Sequence, residues 1–412
     1  MKQTNNAIKF LMAQYRAIFK NANIAMVAAM AAAALAAGQA QAQPIEKFDN
    51  AALAAEGTPD KVTVAGDSAA AGEYKKLELT GGANSAKALE IKITAGDAHT
   101  IKGVAAGSSP DTTPAKPDVN LGNTSFVIEA GTDATLTIGE SGAVGGTPAA
   151  AATNVTVADI TVNKGTLALV AKADDKQLAT SVTAANLTVG LGGTATAGDE
   201  AKITVAKHTS INATEALTVN SGSKITVAGG GTLSGQTVTI NDGTVELGDG
   251  GDADNLGTLS STGKLDIKGG EVKSVATGSA RISASEISLA KALVSSGSLV
   301  VDGALTAKNG ATITNDSTLV INDNFDAESG STVTNNDGAA KVITFNGQTT
   351  FKAGSKISNS GAMVIAGKAD FKIADTALAQ DLKVGGTGAA LKVVSGGTAN
   401  TVSYTHLTLP TT

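Results

Sequence analysis

Three carboxylates crowd one glycine-rich stretch, GDGGDADN, where Asp249, Asp252 and Asp254 could offer oxygen ligands to a hard cation such as calcium. The spacing matches neither a complete EF-hand loop nor a tandem glycine–aspartate array, so the stretch reads as a solvated turn and no metal residue is assigned. Other reactive residue types are scarce. Between residues 43 and 401 the histidines are His99 and His208, the arginine is Arg281 and the tyrosine is Tyr74, and the chain has no cysteine. A serine hydrolase would need one of those histidines between a serine and an acid, and no G-x-S-x-G elbow or other local grouping supplies that. Both histidines are expected on surface turns. No catalytic, cofactor-binding or metal residue is therefore assigned.

The elements that would have to position any such residues are short and repetitive. GATITN (Gly310 to Asn315), GSTVTN (Gly330 to Asn335) and GSKISN (Gly354 to Asn359) are successive copies of one phrase. Their spacing suits one turn of a β-solenoid, in which each turn pairs with those above and below and none buries its own core. Related segments, apolar-x-apolar followed by Gly, Asn or Asp, start at Leu217, Val238, Leu265, Leu299, Leu319, Ile343, Met363 and Leu391. Alternation sends one set of side chains inward, and the Gly, Asn and Asp positions supply the positive φ that corners require. Three expectations follow. Val333 faces a dry stack, Asn315, Asn335 and Asn359 stack at a corner with amide bonds from turn to turn, and Leu305, Phe325, Phe351 and Phe371 form an internal column.

Composition agrees with that class. The chain of 412 residues has 48 Gly, no Trp and only 3% aromatics, which suits a narrow interior of small and β-branched side chains better than a globular enzyme core. Formal net charge is -6. Four of the 31 basic residues precede residue 43 and none of the 37 acidic ones does, so the remainder stands at 27 against 37, or -10. Such a chain is not drawn to nucleic acid or anionic lipid.

The first 42 residues read as a cleavable signal peptide: a basic, polar segment to Asn23, an apolar run from Ile24 to Ala37, and Ala40-Gln41-Ala42 fitting the small-x-small cleavage rule. Residues 43–120 read as an irregular β region and a possible solenoid cap, interrupted by Pro110, Pro114 and Pro117. Residues 121–401 read as the solenoid stalk. Residues 402–412, VSYTHLTLPTT, break the local composition and resemble a translated sequencing adapter.

Taken together, the export signal, the Gly, Thr and Asn ladders and the cysteine-free, aromatic-poor stalk resemble the passenger domain of a bacterial autotransporter, a type V secretion product. The resemblance implies an all-β, elongated parallel β-helix exported through the periplasm to the cell surface of a Gram-negative bacterium. It also implies an outer-membrane β-barrel translocator in the complete protein, and a stalk or adhesin contacting surface glycans or proteins without catalysis. The alternative function is a secreted carbohydrate-active β-helix enzyme, a polysaccharide lyase or hydrolase, which would set charged residues in a groove and stack sugars on aromatic rings.

Overall fold

The computed structural model describes residues 125–128, 134–139, 153–171, 179–192, 200–249, 255–338, 340–352 and 354–367, with the backbone of further short strands on either side. Residues 1–42, read above as a signal peptide, and residues 403–412 lie outside the described residues, as does most of the region 43–120. Within that region the backbone forms strands at Lys61–Val64, Leu77–Thr80 and Glu90–Ile93, the first two paired antiparallel. Strand Thr398–Val402 pairs with Lys368–Lys372 and so runs one residue into the adapter-like segment.

From Ser125 onward the described strands pair in parallel and build a β-solenoid, with no helix among the described residues. Three strands make a turn. In one turn, Thr312–Asn315 belongs to the first wall, Thr318–Ile321 to the second and Phe325–Ala327 to the third, and the next turn opens with Thr332–Asn335. The second and third walls join in one sheet, because several strands, Thr180–Val189 and Ser298–Ala307 among them, run through the bend between them. The bend is absorbed by register slips, as between Ala184 and Asn186 or Ser283 and Glu286. Extra residues on one strand of a pair raise the local bend in this way. Gly303 sits at such a bend with φ 134, and a Cβ there would lie 1.9 Å from the Ala284 carbonyl oxygen. Only glycine fits that approach.

Each residue of the repeated phrase has one job. Gly310, Gly330 and Gly354 turn the corner into the first wall with φ 82, 83 and 85, the left-handed region that side chains other than Gly occupy only under strain. Ala311, Ser331 and Ser355 close that turn with backbone N–H bonds to the carbonyls of Lys308, Glu328 and Lys352. The Ser331 and Ser355 hydroxyls donate to the same carbonyls, at 2.6 and 2.8 Å. The strand then alternates. Ile313, Val333 and Ile357 point inward and are fully buried, the residues on either side of them face out, and the terminal Asn turns back into the interior.

The core is a stack of apolar columns, one residue per turn, in which Leu293, Ile313, Val333 and Ile357 succeed one another in register. Burying a Leu, Ile or Val side chain fully contributes roughly 1.5–3 kcal/mol, and the contribution exists only when the turns above and below are in place. The apolar segments treated as one recurrence in the sequence fall on two different walls. Leu217, Val238 and Leu265 stack on the third wall, whereas Leu299, Leu319, Ile343 and Met363 stack on the second. Both walls use the same alternation, so the pattern alone does not separate them.

The expected aromatic column also divides. Leu305 is in register with Phe325, but the next partner is Thr349; Phe351 instead follows Ala327 and precedes Phe371. That turn is four residues longer, but the excess lies wholly between Asn335 and Val342, so Phe351 stands two positions beyond the partner of Phe325, inward-facing in the neighbouring column. Phe345, on the second wall, completes a buried trio: its ring centroid lies 5.2 Å from Phe325 and 5.9 Å from Phe351, with Phe325 and Phe351 5.6 Å apart edge to face. The Thr349 hydroxyl is left in this core without a hydrogen-bond partner.

Val333→Asp tests the interior. An unpaired buried carboxylate costs several kcal/mol, so the substitution is expected to expose the adjoining turns to limited proteolysis and lower the thermal midpoint. Wild-type protease resistance would show that position 333 does not face a dry stack.

Candidate functional site

Of the nominated reactive residues whose side chains are described, His208 and Arg281 stand on different turns and are not brought together. His208 lies at the corner between strands Ala201–Val205 and Thr209–Val219 with φ 60, the sole positive-φ residue other than glycine among those described. Its main chain holds the corner: its N–H donates to the Gly230 carbonyl and its own carbonyl accepts from Thr180 N–H, both at 3.2 Å. The expectation of a turn histidine is met there. His99 is different, because it lies within strand Ala98–Ile101, its backbone opposite Leu136, and not on a turn; its side chain is outside the described residues. Arg281 projects from the second wall and donates from Nε to Asp302 Oδ2 at 2.6 Å.

Asp249 ends strand Thr244–Asp249, while Asp252 and Asp254 fall outside the described residues, as does the side chain of Tyr74. Among the described residues no group of three or more His, Asp or Glu side chains is gathered to hold a metal.

What the chain does assemble is a set of ordered polar ladders. The most buried runs along the corner between the first and second walls. One internal column is apolar through Val205, Val227 and Leu247, then becomes polar at Ser274 and continues as Ser295, Asn315, Asn335 and Asn359. All five polar members are buried. Asn315 Nδ2 donates to Asn335 Oδ1 at 2.8 Å, and Asn335 Nδ2 donates to Asn359 Oδ1 at 2.7 Å and to the Ala362 carbonyl at 2.9 Å. Ser295 donates to the Gly297 and Thr318 carbonyls, and Ser274 accepts from Gly297 N–H. The side chains therefore pair both with one another and with corner backbone that strand pairing leaves open.

The stacked asparagines were legible from the phrase, but the two serines were not. Their signal was present: EVKS and ALVS hold Ser at the position that TITN and TVTN give to Asn.

A second ladder lies outside, at the bend between the second and third walls. Asn346 Nδ2 donates to Asn322 Oδ1 at 2.7 Å and Asn322 Nδ2 to Asp302 Oδ1 at 2.6 Å, while Arg281 holds the other carboxylate oxygen of Asp302. A third feature is an ion network on the first wall. Glu246 is bonded by Lys224 at 2.8 Å and by Lys273 at 3.1 Å, and Lys273 also reaches Glu271 at 3.4 Å. Partial burial of Glu246 pushes its pKa up, but the hydrogen bonds and charges of the two lysines outweigh that and hold it below the usual glutamate range. Lys273 is raised above the usual lysine range, chiefly by its hydrogen bond from Nζ to Glu246.

These ladders are positioned by strand register and not by a cleft. They stack like groups at the rise of a parallel sheet, roughly 4.8 Å, and most of their donors and acceptors are spent on one another. The geometry fixes shape and presents a regular polar exterior. No family model, curated protein or solved structure matches the chain.

Removing the middle of the corner ladder should be costly. Asn335→Ala leaves buried partners of its amide unpaired, for an expected loss of about 1–3 kcal/mol in chemical denaturation, whereas the outward neighbour Thr334→Ala is expected to stay within about 0.5 kcal/mol. Equal losses would deny the buried amide its role.

The ion network predicts a pH signature. Because the folded pKa of Glu246 is depressed, its contribution to stability is present above the unfolded value and is lost as pH falls through the folded one. Glu246→Gln is therefore expected to lower stability at neutral pH, and the gap from wild type to close in acid as native Glu246 protonates. A gap that is constant across that range would exclude this coupling.

Proposed function

We propose that the chain is an exported structural or adhesive module, a β-helical stalk that makes surface contacts and catalyses no reaction. The observation that carries this reading is the use to which its polar side chains are put. Arg281 is committed to Asp302, and Asn315, Asn335 and Asn359 to a buried ladder. A parallel solenoid of this kind gives length and stiffness from few residue types, and its sides repeat the same weak polar contacts turn after turn.

The resemblance to autotransporter passengers extends the proposal to location and partners. On this reading the module is exported through the periplasm, reaches the surface with the help of an outer-membrane β-barrel, and contacts glycans or proteins of a host or of neighbouring bacteria. Its acidic balance directs it away from nucleic acid and anionic lipid. The β-solenoid is compatible with an enzyme as well, because fold alone does not determine function.

The two classes separate in one experiment. The purified chain is incubated with a panel of acidic and neutral polysaccharides, and release of reducing ends or unsaturated products is followed alongside retention on immobilised glycans and mucin. Retention without product release is expected. Turnover of any polysaccharide would overturn the non-catalytic reading and establish the carbohydrate-active alternative.

A further inference from the structure

An asparagine followed by glycine is prone to spontaneous deamidation, because a residue without a side chain lets its backbone nitrogen reach the asparagine amide carbon unhindered. The chain contains that pair twice, as Asn309-Gly310 and Asn346-Gly347. Both pairs lie outside strands, and both asparagines are exposed. The fold treats them differently.

The first pair is fastened. Gly310 N–H donates to the Gly330 carbonyl at 3.2 Å and Gly330 N–H to the Gly354 carbonyl at 2.8 Å, so the Gly310 nitrogen is one link in a bonded column of corner glycines. Ring closure requires that nitrogen to lose its proton, and a hydrogen bond made by the protonated form holds the proton in place.

The second pair is not. It falls in the bend between strands Val342–Phe345 and Thr349–Phe351, and among the described residues the Gly347 N–H has no hydrogen-bond partner. The Asn346 side chain is also held from one side only. Its Nδ2 donates to Asn322 Oδ1 at 2.7 Å, but the next turn runs from Ile365, opposite Phe345, to Ala366, which has no amide to bond Asn346 Oδ1. Asn346 is the open end of the outer ladder.

We infer that Asn346 is a site of spontaneous deamidation in the folded protein, with water as co-reactant, and that its conversion loosens the third-wall strand that follows. The inference is independent of the proposed function. The Gly347 nitrogen, its proton lost to solvent, forms a bond to Asn346 Cγ; the Cγ–Nδ2 bond breaks, and Nδ2 takes up a proton and leaves as ammonia. The product is a five-membered succinimide. Water then adds to one of its two carbonyls and opens the ring, giving aspartate or isoaspartate with no change of oxidation state.

Either product disturbs the bend. A carboxylate only accepts hydrogen bonds, so the bond to Asn322 Oδ1 is lost. Isoaspartate also routes the main chain through Cγ, which lengthens it by one carbon, about 1.5 Å. The turn beneath gives no slack, because even a Cβ on Gly347 would lie 2.4 Å from the Asp323 carbonyl oxygen. The displacement must pass to Thr349–Phe351, whose Phe351 packs on Phe325 and Phe345.

The test ages the whole chain in neutral buffer and follows both sites by peptide mapping with mass spectrometry, scoring isoaspartate by enzymatic methyl transfer. In the folded chain Asn346 is expected to convert about fivefold faster than Asn309 or more, the factor that one backbone hydrogen bond represents. In urea the two rates should converge. Asn346 left intact in the folded chain, Asn309 reacting as fast, or the same ratio in urea would overturn the assignment. Aged wild type is further expected to gain protease cleavage between Thr349 and Lys372 relative to fresh protein, whereas Asn346→Ala, which cannot form the ring, should cleave alike fresh and aged. Converted wild type that keeps its full protease resistance would overturn the coupling of this site to the fold.

Discussion

Each turn of this chain takes its backbone hydrogen-bond partners from the turns before and after it. Parallel strands cannot pair through a tight hairpin, so every strand meets its neighbour only after the chain has completed the circuit. Everything else follows from keeping that circuit in step. A slip of one residue would send the inward column of Leu293, Ile313, Val333 and Ile357 to solvent. Positive-φ glycines at Gly310, Gly330 and Gly354 start each first-wall strand at the same point. The buried amides of Asn315, Asn335 and Asn359 end it at the same point.

The corner ladder shows how register is enforced when turn length varies. Between Asn335 and Asn359 the turn is longer by four residues than between Asn315 and Asn335, yet the amides remain bonded. The extra residues are all taken up in the corner from Asn336 to Lys341, and the step from the second wall to the third keeps its length. All three walls are therefore back in register from Val342 onward, with Thr349 opposite Phe325 and Phe351 opposite Ala327. The Phe351 ring, in the column next to that of Phe325, still packs on Phe325 and Phe345.

The exterior follows from the same periodicity. Alternation delivers two outward side chains per strand per turn, so any residue type repeated in sequence becomes a stripe in space. Opposite charges placed a turn apart, such as Glu246 and Lys273, lock together, and neutral β-branched residues placed a turn apart become a smooth wall. Repeats thus convert composition directly into surface. A stalk acting through many small contacts can be built this way without a pocket.

The sequence alone determined the class of fold, the inward face of each first-wall strand and the corner asparagines, because these depend on local rules: alternation, positive-φ glycine and the demand that a buried amide be paired. It left open which wall each apolar segment occupies, since Leu217 and Leu299 obey the same alternation and only strand pairing sends them to different sides. It also concealed the serines that extend the asparagine column and the pairing of Phe325 with Thr349 in place of Phe351. Each of these depends on which residue lies one turn away, a separation that varies along the chain and is fixed only when the sheets close on one another.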